Sequence, residues 1–517
     1  MEQLKDYLQQ TVFSQENTIK SQLWRSKMRN ISFMLMADTY KNTNPDALPK
    51  GLTKLTSYIT PRKSMFKNLN EVVFFGLQGF IKEYMIDLAN ETFFKRPKKE
   101  VIAEYKEYLD NQIGSQSYDL GRIEKLWDLQ YLPVEIKALP EGSVVTMGVP
   151  CIEMSNAHPD FAWTVQWLEC IMQSFIFGTC NWATVGHKYK TLANEFYEKT
   201  TDGANPAMAM ADFGFRGLGI ENGVHASSSW LLSFNKTSTI PATQYIDKMY
   251  DADCAKNHIG IGAVSLEHAT VCSNLAVCET EENLLRRLLT DTYKNTSFSY
   301  VSDTFDYWNL IDETLPKLRK EIEEHNGKFL VRPDSGDIVE ISVKTVQKLY
   351  QIFGGTVNSK GYKELNPKIG IIYGDGCQYS KIKEIWTQLE GLGFAADAIL
   401  FGVGAFSFSA MCTPEDGMVC LTRDTFGFAM KSTYCVIDGK EYTIQKNPKT
   451  DKNNLKKSHK GLCCVVKEEN KFVCHDGYAE DTMPEENELK LVFKDGELVK
   501  EQTFEEIRER LNGENHD

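Results

Sequence analysis

Phe329-Leu330-Val331-Arg332-Pro333-Asp334-Ser335-Gly336 is a short apolar run that ends in an arginine, an aspartate two places on, and a glycine. Ile369 to Tyr373 runs in the same way into Gly374-Asp375-Gly376, and Ala398 to Phe401 into Gly402-Val403-Gly404. A buried strand that stops at glycines and fixed charges is aimed at a ligand. Glycines let backbone N–H groups approach an anion, and Arg and Asp grip phosphate and sugar hydroxyls. Two runs upstream share the pattern. Ile261 to Ser265 leads to Glu267-His268, and Ser297 to Val301 leads to Ser302-Asp303. The motif positions 268, 303, 332, 374 and 402 fall roughly 30 to 40 residues apart, room for a strand and a returning helix each time. Glu281 to Leu289 and Ser380 to Leu389 carry leucines, isoleucines and a tryptophan at helical spacing. Successive β/α units with functional residues at strand C-terminal ends predict an α/β barrel or a doubly wound sheet. The barrel is preferred, because one site built from five strand ends is natural there.

The flanks read differently. Tyr434 to Ile444 around Asp438-Gly439, and Leu491 to Val499 around Asp495-Gly496, predict hairpins with Asp-Gly turns. Thr503 and Glu506 predict a capping box for a last short helix. Residues up to about 165 are mixed and are expected to join these hairpins in a β-rich second domain. The division expected is an N-terminal extension over 1–25, a β-rich domain from 26–165 and 425–517, and the barrel over 166–424.

Composition bounds the function. The chain has 517 residues, 42% hydrophobic and 25% charged, an ordinary globular mixture. A net charge of −13 argues against a nucleic-acid binder. The start lacks a basic segment followed by an apolar stretch, and no apolar run reaches membrane-spanning length, so a cytoplasmic protein is expected. The 13 cysteines form no C-x-x-C pair, so reduced thiols are expected, with neither a disulfide framework nor a structural zinc site.

Each motif has a plainer reading. Arg332 and Asp334 also suit a salt-bridged strand end, and the glycine pairs suit ordinary βα turns. Together they favour a phosphate cradle. His268, more often structural in isolation, becomes a candidate acid, base or nucleophile among the other strand ends. The basic stretch Lys446, Lys449, Lys452, Lys456, Lys457 and Lys460 suits a solvated loop, from which one or two lysines could reach pyrophosphate. Asp212-Phe213-Gly214-Phe215-Arg216-Gly217 suits a packed turn, or a stacking platform for a flat ring.

In order along the chain, Ala37 to Lys41, Phe75 to Gln78, Asp212 to Gly217, Glu267-His268, Val301 to Asp303, Arg332 to Gly336, Gly374 to Gly376, Leu421 to Asp424 and Lys457 to Gly461 resemble the nicotinamide phosphoribosyltransferase family. The resemblance implies an α/β barrel of the nicotinate/nicotinamide type with a β-rich second domain. It implies an enzyme joining a pyridine base to C1′ of phosphoribosyl pyrophosphate, with Mg²⁺ on the pyrophosphate and ATP as an activator. It implies a homodimer with shared sites, in which Phe213 and the partner chain's copy of Tyr40 sandwich the pyridine. Asp334 would hold ribose hydroxyls and Arg332 would approach base and sugar. Gly374, Asp375, Gly404 and Ala405 would line ribose and 5′-phosphate. Arg62, Arg216, Arg423, Lys431 and Lys446 would meet phosphate and pyrophosphate. His268 would accept a phosphoryl group from ATP, with Asp303 beside it.

Two positions depart from the family pattern. Its amide-reading aspartate falls on Ser238, leaving nicotinate open as the base. Its phosphate loop becomes Gly402-Val403-Gly404-Ala405-Phe406 with extra length over 407–420. That leaves open an ADP-ribose pyrophosphate donor giving NAD directly, with Phe406 or Phe408 stacking on adenine and the acids of Pro414 to Gly417 facing the donor. A non-catalytic signalling relative is the remaining alternative.

Overall fold

The computed structural model describes residues 31–115, 118–277, 279–451 and 456–513. The expected 1–25 extension and Lys452, Asn453 and Asn454 of the basic stretch lie outside them.

Seven parallel strands form the central sheet: Met210–Phe213, Lys236–Thr237, Val264–Ser265, Phe298–Val301, Phe329–Arg332, Ile369–Tyr373 and Ile399–Gly404. Each pairs with its neighbours in chain order, and the last pairs with the first, Gly402 against Ala211. The seam between the second and third strands is closed by one parallel bridge, Lys236 to Ile261, where the Ile261 N–H donates to the Asn235 carbonyl at 2.8 Å. The sheet is therefore a barrel. All five strands read from sequence are present. Met210–Phe213 and Lys236–Thr237 complete the ring and were not expected.

Helices return the chain outside the ring. Ile338–Phe353 shows how sequence sets their limits. Asp337 accepts the N–H groups of Val339 and Glu340 at its start, and Gly354 at φ 72° ends it. Tyr379–Gly391 and Glu281–Arg287 follow the apolar spacings noted above, the latter continuing as a wider turn over Leu288–Thr292.

A second, antiparallel sheet runs in the order Lys440–Thr443, Ala429–Ile437, Leu52–Thr60, Ile152–Asn156, Val134–Ala138, Lys490–Lys494, Glu497–Leu498. N- and C-terminal segments thus interleave in one layer. Both hairpin turns form, with Asp438 and Gly439, and Asp495 and Gly496, all at positive φ. The capping box also forms: the Thr503 N–H donates to Glu506 Oε2 at 2.9 Å, and the Glu506 N–H to Thr503 Oγ1 at 3.2 Å.

One helix, Trp163–Thr200, spans 38 residues and ties the two layers together. Its Thr179 hydroxyl donates to the Phe75 carbonyl, Asn181 to the Thr422 carbonyl and Trp182 to the Phe408 carbonyl. Gly76, at φ 107°, lies so close to Thr179 that any side chain there would collide. The Phe75 to Gln78 motif is thus a structural joint. The buried Glu141 carboxylate accepts the Gly76 and Gln78 N–H groups at 2.7 and 2.6 Å. Gln78 in turn bonds Met249 of a barrel helix and Gln502 before the C-terminal helix. Among the described residues no helix is long and apolar enough to cross a membrane.

Candidate active site

The strand ends converge as the sequence implies. Asp303 sets the local geometry. Its Oδ2 accepts the Asp334 N–H at 3.1 Å and the Ser335 hydroxyl at 2.5 Å. Its Oδ1 is buried without a hydrogen-bond partner, 3.8 Å from His268 Nε2. Asp334 Oδ2 lies 3.9 Å from the same nitrogen. The other ring nitrogen, Nδ1, is 3.1 Å from the Thr304 hydroxyl, a contact the sequence reading missed. His268 begins a helix and is half exposed, so Nε2 stays accessible.

Arg332 leaves its strand with Nη2 donating to the Leu266 carbonyl and Nη1 3.9 Å from Asp334 Oδ1. Burial holds its pKa below the ordinary guanidinium value, against the pull of Asp334 and Asp303. Arg216 adds positive charge beside it. Glycines form the floor. A Cβ at Gly374 would sit 3.0 Å from Asp334 Oδ1, 3.5 Å from the Phe213 ring and 3.7 Å from Arg332 Nη1. A Cβ at Gly402 would collide with the Phe213 ring. The ring therefore rests on bare backbone, next to the carboxylate and the guanidinium. Asp375 is exposed at the rim, followed by Gly376 at φ 65°.

Asp212 holds Phe213 in place. It is fully buried and accepts three hydrogen bonds, from the Gly214 N–H at 2.7 Å and the hydroxyls of Thr237 and Thr239 at 2.6 and 2.7 Å. Ser238 lies between those threonines, exposed. Its N–H and hydroxyl both donate to the Asp212 carbonyl, at 2.9 and 3.0 Å. Only the hydroxyl lone pairs are left for a ligand.

The segment after Gly404 narrows two expectations. Phe408 is buried, edge-on to Trp230 at 5.7 Å and tight against Gly214, so it backs the Phe213 turn and has no free face for adenine. Residues 410–420 form a hairpin, Ala410–Thr413 with Gly417–Cys420. Its Asp416 accepts from the Lys67 N–H and the Thr413 hydroxyl, and the Glu415 carbonyl accepts from Lys67 Nζ. Asp416 is thus engaged within its own turn and with Lys67. Phe406 is exposed, and the Ala405 methyl packs where any side chain at Gly217 would have to go.

The remaining site residues gather on the antiparallel sheet. Arg62 and Lys431 line a cleft of about 540 Å³ with Gln445, Lys457, Lys460 and Asp476. Arg423 stands close enough to Arg62, and Lys446 to Lys431, to lower the pKa of each partner, although burial is the larger cause in both. Glu169 opposes this, 3.4 Å from Lys431 and also paired with Lys41. Tyr40 precedes Lys41 and is 54% exposed, free to meet another surface. The contacts sort the residues into two sets: a barrel mouth with Phe213, Arg216, Ser238, His268, Asp303, Arg332, Asp334, Gly374, Asp375, Gly404 and Ala405, and a cationic cleft with Arg62, Arg423, Lys431 and Lys446.

Known proteins share this chain's sequence and fold. Residues 208–497 match the family model of the nicotinate phosphoribosyltransferase (NAPRTase) family, and 32–118 match the nicotinamide phosphoribosyltransferase N-terminal domain. A nicotinamide phosphoribosyltransferase of Acinetobacter baylyi is 33% identical over 500 residues, 92% of this chain and 96% of the relative. One from Xanthomonas campestris is 26% identical over 92% of this chain and 97% of its own. The nicotinate-nucleotide pyrophosphorylase structure from Pyrococcus furiosus superposes with a TM-score of 0.57 at 15% identity, covering 93% of this chain and 95% of that one. Human nicotinic acid phosphoribosyltransferase gives 0.55 at 15%, covering 92% and 93%. With the family model spanning more than half of its length and a relative one-third identical across nearly all of it, this chain belongs to the nicotinate phosphoribosyltransferase family.

Proposed function

We propose that the protein joins nicotinamide to phosphoribosyl pyrophosphate, giving nicotinamide mononucleotide and pyrophosphate in NAD salvage. The observation that carries this reading is the Phe213 ring lying on bare Gly402, beside the Asp334 carboxylate and the Arg332 guanidinium. A flat base stacks on the ring, ribose hydroxyls bind the carboxylate, and positive charge developing at C1′ is stabilised by nearby acids. Departure of pyrophosphate needs cations, which the Arg62, Arg423, Lys431 and Lys446 cleft supplies. The two residue sets, with Tyr40 exposed, support a homodimer in which one chain's barrel mouth meets the other chain's cleft. Mg²⁺, when bound, would neutralise the leaving group, and the unpartnered Asp303 Oδ1 beside Asp334 offers the hard oxygen donors it prefers. Product analysis with nicotinamide or nicotinate, crossed with phosphoribosyl pyrophosphate or ADP-ribose pyrophosphate, tests the reading. Mononucleotide from nicotinamide and the first donor is expected. NAD from the second donor as the main product would overturn it.

Base choice rests on Ser238. An aspartate there would accept a carboxamide N–H and repel a carboxylate, whereas this hydroxyl, its proton held by the Asp212 carbonyl, can accept the amide N–H but carries no charge to repel a carboxylate. Ser238→Asp is expected to raise the nicotinamide-to-nicotinate ratio of kcat/KM by about tenfold, in line with one added discriminating contact. An unchanged ratio would mean that other groups read the base.

His268 is proposed as the phosphoryl acceptor, since Nε2 is open while Thr304 engages Nδ1. His268→Ala is expected to keep its thermal midpoint and to lose any stimulation of turnover by ATP. Full stimulation in a folded variant would remove the assignment.

A further inference from the structure

The wall of the cationic cleft holds a group of side chains that the reaction above does not use. Leu462–Glu468 and Lys471–Tyr478 form a two-stranded antiparallel ribbon, in which Val465 pairs with Cys474. Two-residue alternation puts Cys463, Val465, Cys474 and Asp476 on one face. A register irregularity between Leu462 and Cys464 falls at Cys463, and the preceding loop brings His459 over the same face. His459 Nδ1, Cys463 Sγ and Cys474 Sγ belong to a group whose ligand atoms all lie within 4.8 Å of one another.

The histidine is oriented as a ligand would be. Its Nε2 is 2.9 Å from the Gly148 carbonyl, which has only lone pairs and so requires the proton on Nε2. In the neutral ring this leaves the Nδ1 lone pair facing inward, 3.9 Å from Cys474 Sγ and 3.3 Å from Asp476 Oδ2. Without metal, the Cys474 thiol can donate weakly to that lone pair or the ring can carry a second proton toward Asp476, and a bound cation would take the place of those protons. A carbonyl fixing the far nitrogen of an imidazole is the usual outer support of a metal-bound histidine.

We propose that His459, Cys463 and Cys474 bind one zinc ion, with the fourth position open toward the cleft beside Asp476. Two thiolates and an imidazole select a borderline-soft cation over Mg²⁺ or Ca²⁺. Tetrahedral bonds of about 2.0 Å to nitrogen and 2.3 Å to sulfur put ligand atoms nearly 4 Å apart, a small side-chain closure from the distances seen. Two thiolate charges cancel the dication, so the ion leaves the cleft's positive field for anions intact. Its role is a fastening. It pins the loop carrying Lys457 and Lys460, both on the cleft wall, to the ribbon beneath. Zinc binding here is independent of which base or donor the enzyme takes.

The test uses the tag-free full-length chain, purified under argon without thiols or chelators. Elemental analysis is expected to find roughly one zinc per chain, as a single three-ligand site requires. Cobalt substituted for zinc is expected to give a thiolate-to-metal charge-transfer band. Cys463→Ser and Cys474→Ser should each abolish that band and bring bound zinc near zero, while Cys420→Ser, an exposed thiol elsewhere, should change neither. The cobalt spectrum of the unaltered protein decides the matter even if a cysteine variant fails to fold. Absence of both zinc and the cobalt band overturns the proposal. So does a Cys463–Cys474 disulfide in place of metal, and so does zinc retained by both cysteine variants.

Discussion

Asp334→Ala is expected to lower kcat/KM by about 10²- to 10³-fold, the range found when one electrostatic partner of a transition state is removed, while the fold keeps its thermal midpoint within a few degrees. The asymmetry follows from what the side chain touches. The backbone of Asp334 is held by Asp303, which the substitution leaves alone. Its carboxylate makes only long contacts, 3.9 Å to Arg332 and 3.9 Å to His268, so little folding energy rests on it. In the reaction the same carboxylate would bind ribose hydroxyls and face a sugar gaining positive charge. Steady-state kinetics with thermal denaturation separates the two effects. An equal loss of stability and activity would make Asp334 a structural residue. The variant also tests sharing of sites. Mixed with Tyr40→Ala chains, it should recover about a quarter of wild-type activity, from one intact site in the half of the dimers that are hybrid. No recovery from verified hybrid dimers would place Tyr40 and Asp334 in unrelated roles.

Asp212→Ala should act in the opposite way, through stability first. Its carboxylate is fully buried and satisfies one backbone N–H and two threonine hydroxyls. Removing it strands three buried donors, at a cost of about 3–5 kcal/mol for a charged acceptor of several bonds. The turn carrying Phe213 would loosen, so activity should fall even where the variant stays folded. Asp212→Asn keeps the volume but presents an amide N–H to at least one donor and should lie between. Denaturant midpoints for the three proteins give the order. An alanine variant as stable as the parent would refute the structural assignment.

These two aspartates also mark what sequence reveals and hides. Asp334 was legible because Phe329 to Val331 is a continuous apolar run that stops abruptly at charge and glycine, as buried parallel strands do. Five barrel strands share that signature. Met210–Phe213 lacks it, since Asp212 interrupts the apolar run, and Lys236–Thr237 is too short to show any period. The Asp-Gly hairpins were legible because their turns need positive φ, which few residues supply cheaply. Phe408 was misread for a different reason. Its burial depends on Trp230, far away in the chain, and an aromatic in a glycine-rich stretch looks the same whether it faces solvent or core. The grouping of His459 with Cys463 and Cys474 depends on a strand register that spacing alone does not give.

The barrel's seam sets a floor on how firmly the base pocket is defined. Between its second and third strands the ring is held by a single bridge, whereas Met210–Phe213 and Ile399–Gly404 pair along four residues. Amide protons that guard the seam, Thr237 and Ile261, should therefore exchange with solvent sooner than those of the opposite wall, as weakly bonded edges open at lower free energy. Ser238 is the next residue along. The position proposed to read the substituent on the pyridine ring thus sits beside the weakest joint of an otherwise continuous hoop. On that reading its selectivity would be an average over closed and opened seams, and a base that bridged Ser238 to the facing strand would itself complete the hoop.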